Sequence, residues 1–399
     1  IGIKVNFYYV TREDLEDPFN AALKEGELNC IDWGSRFRFS SLLQRRNIKP
    51  KKHKTPIITF YSYKGGMGRT TTMVSYAMDL AINNQKRVAI IDCDLEAPGY
   101  LNFFNLSKHM GLNSGKVNGL VEFLSDANFV DDSSQLDIND YMINVGLGNK
   151  DSIAYYNLDN IWLVPAGNLN AHFDENDLKD RRDYLEGLSR INLSNIQYIT
   201  DGFQLLFDKI EETIHPDFIL LDSRTGFNDI FGSAAFYLSD FVVAFFGFSK
   251  QTQPGIANLI REYYNPDNSF KLHIVYSILP PREKGQNEQS WVEKEKKKVE
   301  DYINYVGNET KDRPKYTFLH RHKELEPIGL GETYDSLYVD SIRKKANDDY
   351  NDLFECINEI YLKTTQAYET PLQLRNKVLK HLNDTLSEVH LFAEQTEIS

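Results

Sequence analysis

The stretch from Ile57 to Thr71 constrains this chain more than any other. Ile57-Ile58-Thr59-Phe60-Tyr61 is a short apolar, β-rich run, and Tyr63-Lys64-Gly65-Gly66-Met67-Gly68-Arg69-Thr70-Thr71 follows it. From Thr70 to Asn84 the pattern turns helical. A strand, a glycine-rich turn and a helix in that order predict a loop that holds phosphate. The glycines let the backbone turn tightly and aim successive N–H groups inward. The N-terminus of the helix adds its dipole toward the same anion. Thr70 can supply a hydroxyl to Mg²⁺. The expected nucleotide contacts are therefore Lys64, Gly65, Gly66, Met67, Gly68, Arg69, Thr70 and Thr71.

Two further elements fit that loop. Val88-Ala89-Ile90-Ile91 runs into Asp92-Cys93-Asp94-Leu95-Glu96-Ala97-Pro98-Gly99, and Phe218-Ile219-Leu220-Leu221 runs into Asp222-Ser223-Arg224-Thr225-Gly226. An aspartate at the C-terminal end of a strand is well placed, because ligands collect there in open α/β sheets. Alone, such a residue reads equally well as a turn aspartate capping the next element. More apolar runs occur at 161–164, 241–246 and 272–276. Continuous rather than alternating apolarity implies strands buried on both faces. Helical stretches lie between them, notably 70–84 and 202–214. The expected fold is α/β: a mostly parallel sheet flanked by helices on both faces.

The order Lys-Gly-Gly-x-Gly-Arg-Thr-Thr, with the Asp92–Asp94 pair and the Asp222–Gly226 element, resembles the deviant phosphate loop and metal motifs of the ParA/MinD family of ATPases. The resemblance covers residues 55 to 280. It implies ATP and Mg²⁺ as ligands and a homodimer closed across ATP. Lys64 would reach the partner subunit's nucleotide, and Asp94 would orient the attacking water. With Arg69, these form the expected catalytic set. Thr70, Asp92 and Asp222 form the expected metal set, and Gly226 would let the next loop respond to the γ-phosphate. The stretch 246–255 is expected beside the nucleotide. Ser277 stands where family members often carry an asparagine that reads adenine. No Asn-Lys-x-Asp motif for guanine occurs, so ATP is preferred over GTP.

The chain departs from the family at Arg69, which replaces a lysine. Arginine keeps the charge but is bulkier, planar and forked. Two readings stay open. One is a switch that hydrolyses ATP slowly to control a protein partner. The other is an ATP-loaded scaffold or sensor without turnover, of the kind found in bacterial defence assemblies. Arg224 could reach phosphate or pair with a surface carboxylate. Bacterial tyrosine kinases share a similar core but end in a tyrosine cluster, and no tyrosine follows Tyr368 here.

The remaining sequence frames this core. Residues 1–54 are expected to be an appendage ending in a basic linker, 55–339 the nucleotide-binding domain, and 340–399 a helical extension with helices at 340–364 and 372–392. The Asn-, Asp- and Ser-rich stretches 125–160 and 168–200 read as surface insertions. The 399 residues carry 45 basic and 58 acidic side chains, a net charge of −13. That balance disfavours direct DNA or membrane attachment and points the extensions and insertions toward a protein partner. The basic run Lys294–Lys298 is interrupted by glutamates and reads as a solvated helix. Three dispersed cysteines, Cys30, Cys93 and Cys356, argue against a disulfide framework and against a zinc site. A reducing, cytoplasmic setting is expected. His320 and His322 read as an ordinary surface or loop pair.

Overall fold

The computed structural model describes residues 53–95, 98, 100, 118–127, 135–148, 158–167, 184–189, 191, 196–226, 238–247, 251–264, 270–280, 290–306, 312–322 and 347–366. Most of the 1–54 appendage and the whole 372–392 helix lie outside these residues.

Strands form at each predicted apolar run: β1 (Ile57–Ser62), β2 (Val88–Asp92), β4 (Ile161–Val164), β5 (Phe218–Asp222), β6 (Phe241–Phe246) and β7 (Lys271–Leu279). Two others, β3 (Ile143–Asn144) and β8 (Lys315–His320), carry no such run. The eight strands form one sheet in the order β3-β4-β2-β5-β1-β6-β7-β8. Every neighbouring pair is parallel except β3 and β4. The loop-bearing strand β1 is therefore central, between β5 and β6.

Side chains on successive strand residues point to opposite faces, so each continuous apolar run feeds two cores. On one face Ile58, Phe60, Val88, Ile90, Leu220 and Val243 pack with Met73, Val74, Tyr76 and Ala77 of α1 (Arg69–Asn83). On the other, Ile57, Ala89, Ile91, Ile219 and Leu221 pack with α2 (Leu120–Asp126) and α3 (Ile196–Ile214), through residues such as Phe123, Phe203 and Phe207. Three further helices are α4 (Gln253–Tyr263), α5 (Ser290–Val306) and α6 (Asn347–Gln366). The sheet is thus flanked by helices on both faces, as the apolar runs predict.

Several boundaries differ from the sequence reading. Within 125–160, Leu136, Ile138, Tyr141 and Met142 are buried in the second core, Ile143 is buried in the α1-side core, and β3 pairs with β4. The described part of that stretch is sheet edge rather than surface insertion. Likewise α3 starts at Ile196, inside the expected insertion 168–200, and Ile199 and Thr200 are buried. Their polar composition hid sparse apolar anchors that pack on the core. The first C-terminal helix is observed as α6, whose Tyr350, Leu353, Phe354 and Ile357 complete the α1-side core. Glu293, Lys294, Lys297 and Lys298 of α5 are exposed, as a solvated mixed-charge helix requires. His320 departs from the surface reading. It is buried, and its backbone N–H and Nδ1 lie 2.8 and 2.7 Å from Asp349 Oδ2.

Candidate phosphate and metal site

β1 ends at Ser62, and the chain turns through Tyr63–Gly68 into α1. Gly66 and Gly68 both have φ of +74°, a left-handed conformation that glycine adopts without steric cost. A Cβ placed on Gly65, Gly66 or Gly68 would meet nothing within 4 Å, so the loop borders open space. Gly68 caps α1 with no side-chain hydrogen bond to the helix. Backbone donors beside an open, dipole-aligned concavity suit an anion.

Strand register brings the two acidic motifs to this loop. Asp92 and Asp222 face each other across β2 and β5, and Asp222 is level with Phe60 on β1. Beyond β5 the chain stays tied to β1, with Ser223 N–H donating to Phe60 O (2.9 Å) and Gly226 N–H to Ser62 O (3.2 Å). Thr70 Oγ1 donates to Asp222 Oδ2 at 2.7 Å. Tyr100 donates its hydroxyl to the same oxygen at 2.6 Å. Arg69 Nε is in ion-pair contact with Asp222 Oδ1, although its N–H is not aligned as a hydrogen bond, and Arg69 Nη2 lies 3.6 Å from Asp94 Oδ2.

The electrostatics follow from burial and neighbours. Burial works against the Arg69 charge, but Asp222, Tyr100, Asp94 and Asp92 outweigh it and hold the guanidinium more firmly protonated than usual. Burial, then the Asp222 charge, pushes Asp92 well above the ordinary carboxylate range. Burial, then Asp222, also keeps Tyr100 a neutral donor by raising its pKa. Asp92 Oδ1 accepts from Asp94 N–H at 3.0 Å, while its buried Oδ2 has no hydrogen-bond partner among the described residues. Asp94 is more open, with 19% of its side chain exposed. An orphaned carboxylate oxygen beside Asp222 and the Thr70 hydroxyl is a donor set that fits Mg²⁺, a cation bound through oxygen ligands.

The stretch expected beside the nucleotide does border the loop. Lys64 Nζ donates to Gln251 Oε1. A Cβ on Gly247 would lie 3.2 Å from Met67 Sδ, and one on Gly255 would strike the Tyr63 ring at 2.4 Å. The last figure shows how closely the start of α4 approaches the loop. Ser277 is different. It lies toward the C-terminal end of β7, two strands from β1, buried and with no hydrogen-bond partner for Oγ among the described residues. It shares the ligand end of the sheet without touching the loop. Tyr100 escaped sequence reasoning as a site residue, because no spacing rule marks a side chain delivered from a neighbouring connection, whereas Gln251 lies within the stretch expected beside the nucleotide.

No family model and no curated protein matches the chain. Solved structures do. A cell division ATPase MinD from Pyrococcus furiosus is 15% identical over 76% of this chain and 99% of its own, with a TM-score of 0.44. A ParA family ATPase from Chlorobium tepidum is 12% identical over 75% and 97%, with a TM-score of 0.44. A Cyanothece McdA in an ATP complex is 10% identical over 77% and 98%, with a TM-score of 0.48. The described core carries its loop on a central strand and its aspartates at the ends of β2 and β5 in a mostly parallel sheet.

Proposed function

We propose that this chain is an ATP-binding molecular switch. It dimerises around ATP-Mg, hydrolyses ATP slowly, and presents a different surface to a protein partner in each state. The observation that carries this reading is the convergence on Asp222: Thr70, Arg69 and Tyr100 all reach it, and Asp92 stands beside it in register.

Each residue then has a role that its environment supports. The N–H groups of Gly65 to Thr71 bind phosphate oxygens. Thr70, Asp92 and Asp222 hold the magnesium shell. Bound Mg²⁺ would neutralise charge on the phosphate oxygens. Asp94, more open to solvent than Asp92, orients water. Lys64, at the exposed rim, serves the neighbouring copy's nucleotide. Arg69 exchanges its carboxylate partners for phosphate. Residues 55–339, with α6 packed on their core, form the nucleotide-binding domain, and the terminal extensions or the insertions engage the partner. No helix among the described residues is long and apolar enough to cross a membrane.

One observation favours the second reading, a non-hydrolysing ATP-loaded scaffold. Arg69 already sits against Asp222 and Asp94, and a guanidinium that keeps Asp94 engaged would leave it unable to orient water.

The two readings separate in one experiment. ATP turnover and molecular mass are followed together, with Mg²⁺, for the wild type and Asp94→Ala. A switch gives wild-type turnover and an ATP-dependent dimer, with turnover lost and the dimer retained in Asp94→Ala. Tight ATP binding without turnover in either protein supports the scaffold. Absence of ATP binding overturns both.

A further inference from the structure

At the opposite end of β1 from the phosphate loop, three potential metal ligands meet. His53 precedes the strand, and Asp208 and Glu211 lie on α3. One ligand atom from each residue falls within 4.8 Å of the others. We propose that these three side chains form a site for a divalent transition-metal ion.

The fold prepares each ligand separately. An i, i+3 spacing puts Asp208 and Glu211 on one face of α3. The His53 ring is almost fully enclosed, with 3% of its side chain exposed, and it meets Phe207 edge to face at 5.1 Å between centroids. Glu211 Oε1 accepts the Thr55 N–H at 2.8 Å, which fixes that carboxylate. Thr55 is held in turn by donating its hydroxyl to Pro216 O at 3.1 Å. Hydrogen bonds that orient the ligands are what a metal site needs around it.

The separations suit a metal as well as the long ion-pair contacts that the same atoms make. His53 Nδ1 lies 3.8 Å from Asp208 Oδ1 and 4.0 Å from Glu211 Oε1. Charge-assisted hydrogen bonds between such groups are shorter, about 2.7–2.9 Å. Ligand atoms about 2.0–2.2 Å from a tetrahedral ion stand about 3.3–3.6 Å apart, so small side-chain adjustments would close the site. One imidazole and two carboxylates suit Zn²⁺ or Mn²⁺. The site has no cysteine, so the sparse cysteine count does not bear on it. It would staple the residues that lead into β1 to α3.

The test uses the metal-free full chain without nucleotide, titrated with Zn²⁺ and separately with Mn²⁺ by calorimetry. The variants are Asp208→Asn, His53→Gln and, as a control, His322→Ala, whose Nε2 lies 3.7 Å from Asp349 Oδ2 in a separate histidine–carboxylate contact. The expected result is binding of about one ion per chain, weakened at least tenfold in Asp208→Asn and His53→Gln and unchanged in His322→Ala. Binding should also raise the wild-type melting temperature and not that of Asp208→Asn, an isosteric change on a partly exposed residue that preserves the fold. The proposal is overturned if neither ion binds at micromolar concentrations. It is equally overturned if binding survives in Asp208→Asn and disappears in His322→Ala. None of these readouts depends on ATP, so failure here is separate from failure of the switch.

Discussion

Asp222 shows how much one carboxylate can organise. Thr70 and Tyr100 both donate to its Oδ2, and Arg69 contacts Oδ1. An ionised carboxylate taken out of water needs such donors, since a buried unpaired charge is very costly. Tyr100→Phe removes one donor while the ring still fills its place. A hydrogen bond to a charged group contributes about 1.5–3 kcal/mol, so the variant should lose stability on that scale. Urea unfolding of nucleotide-free protein measures it, and an unchanged midpoint would mean that Thr70 and Arg69 satisfy Asp222 without Tyr100. The contrast with the loop is instructive about legibility. Lys64 to Thr71 could be read from the sequence because glycine spacing, backbone conformation and phosphate binding are linked locally. Asp92 and Asp222 could be read because each ends an apolar strand. Tyr100 could not, because its role depends on a contact 122 residues away along the chain. The ion pairing of Arg69 was hidden for the same reason.

Among the elements, the β6, β7 and β8 side of the sheet carries a pH dependence of its own. His273 is the third residue of β7, in register with Val243 on β6 and Lys315 on β8. It is fully buried, and its Nε2 is 3.0 Å from Thr317 Oγ1. Burial, with help from Lys315, pushes its pKa down to about 3. The folded protein therefore holds His273 neutral, while the unfolded chain takes up a proton near the ordinary value of about 6.5. Its contribution to stability is fully present above that pH and is lost as pH falls from there toward about 3. The limiting slope is about 1.4 kcal/mol per pH unit. His273→Gln, which does not titrate, should show a shallower loss of stability between pH 7 and 5, measured by denaturant unfolding at each pH. Equal slopes would assign the acid sensitivity to other groups. The same region marks the limit of pattern reading. β7 is apolar and visible, whereas β8 is an edge strand whose Lys315 to Phe318 are only half-buried, so no apolar run announces it. His320 at its end looked like a surface residue, because only the fold brings Asp349 of α6 against it.

At the scale of the whole molecule, association has to overcome charge. Each chain carries a net charge of −13, so two copies repel at long range, and an ATP adds further negative charge to their interface. A dimer closed across nucleotide therefore needs cationic groups near the phosphates. Arg69 is buried against its own chain's carboxylates, whereas Lys64 stands at the rim with its ammonium on Gln251 Oε1. That exposed contact contributes little to the fold and is readily exchanged for an anion. Lys64→Ala, made in the Asp94→Ala background so that turnover does not complicate the measurement, should leave ATP binding to the single chain nearly unchanged. It should weaken ATP-dependent dimerisation by at least tenfold, as read by sedimentation across a protein concentration series. Its melting temperature without ATP should match that of Asp94→Ala alone, because no buried group is altered. A double variant that dimerises with ATP as readily as Asp94→Ala would show that Lys64 does not serve the neighbouring copy. The closing charge would then have to come from another cation, and the face-to-face arrangement around ATP would lose its physical basis.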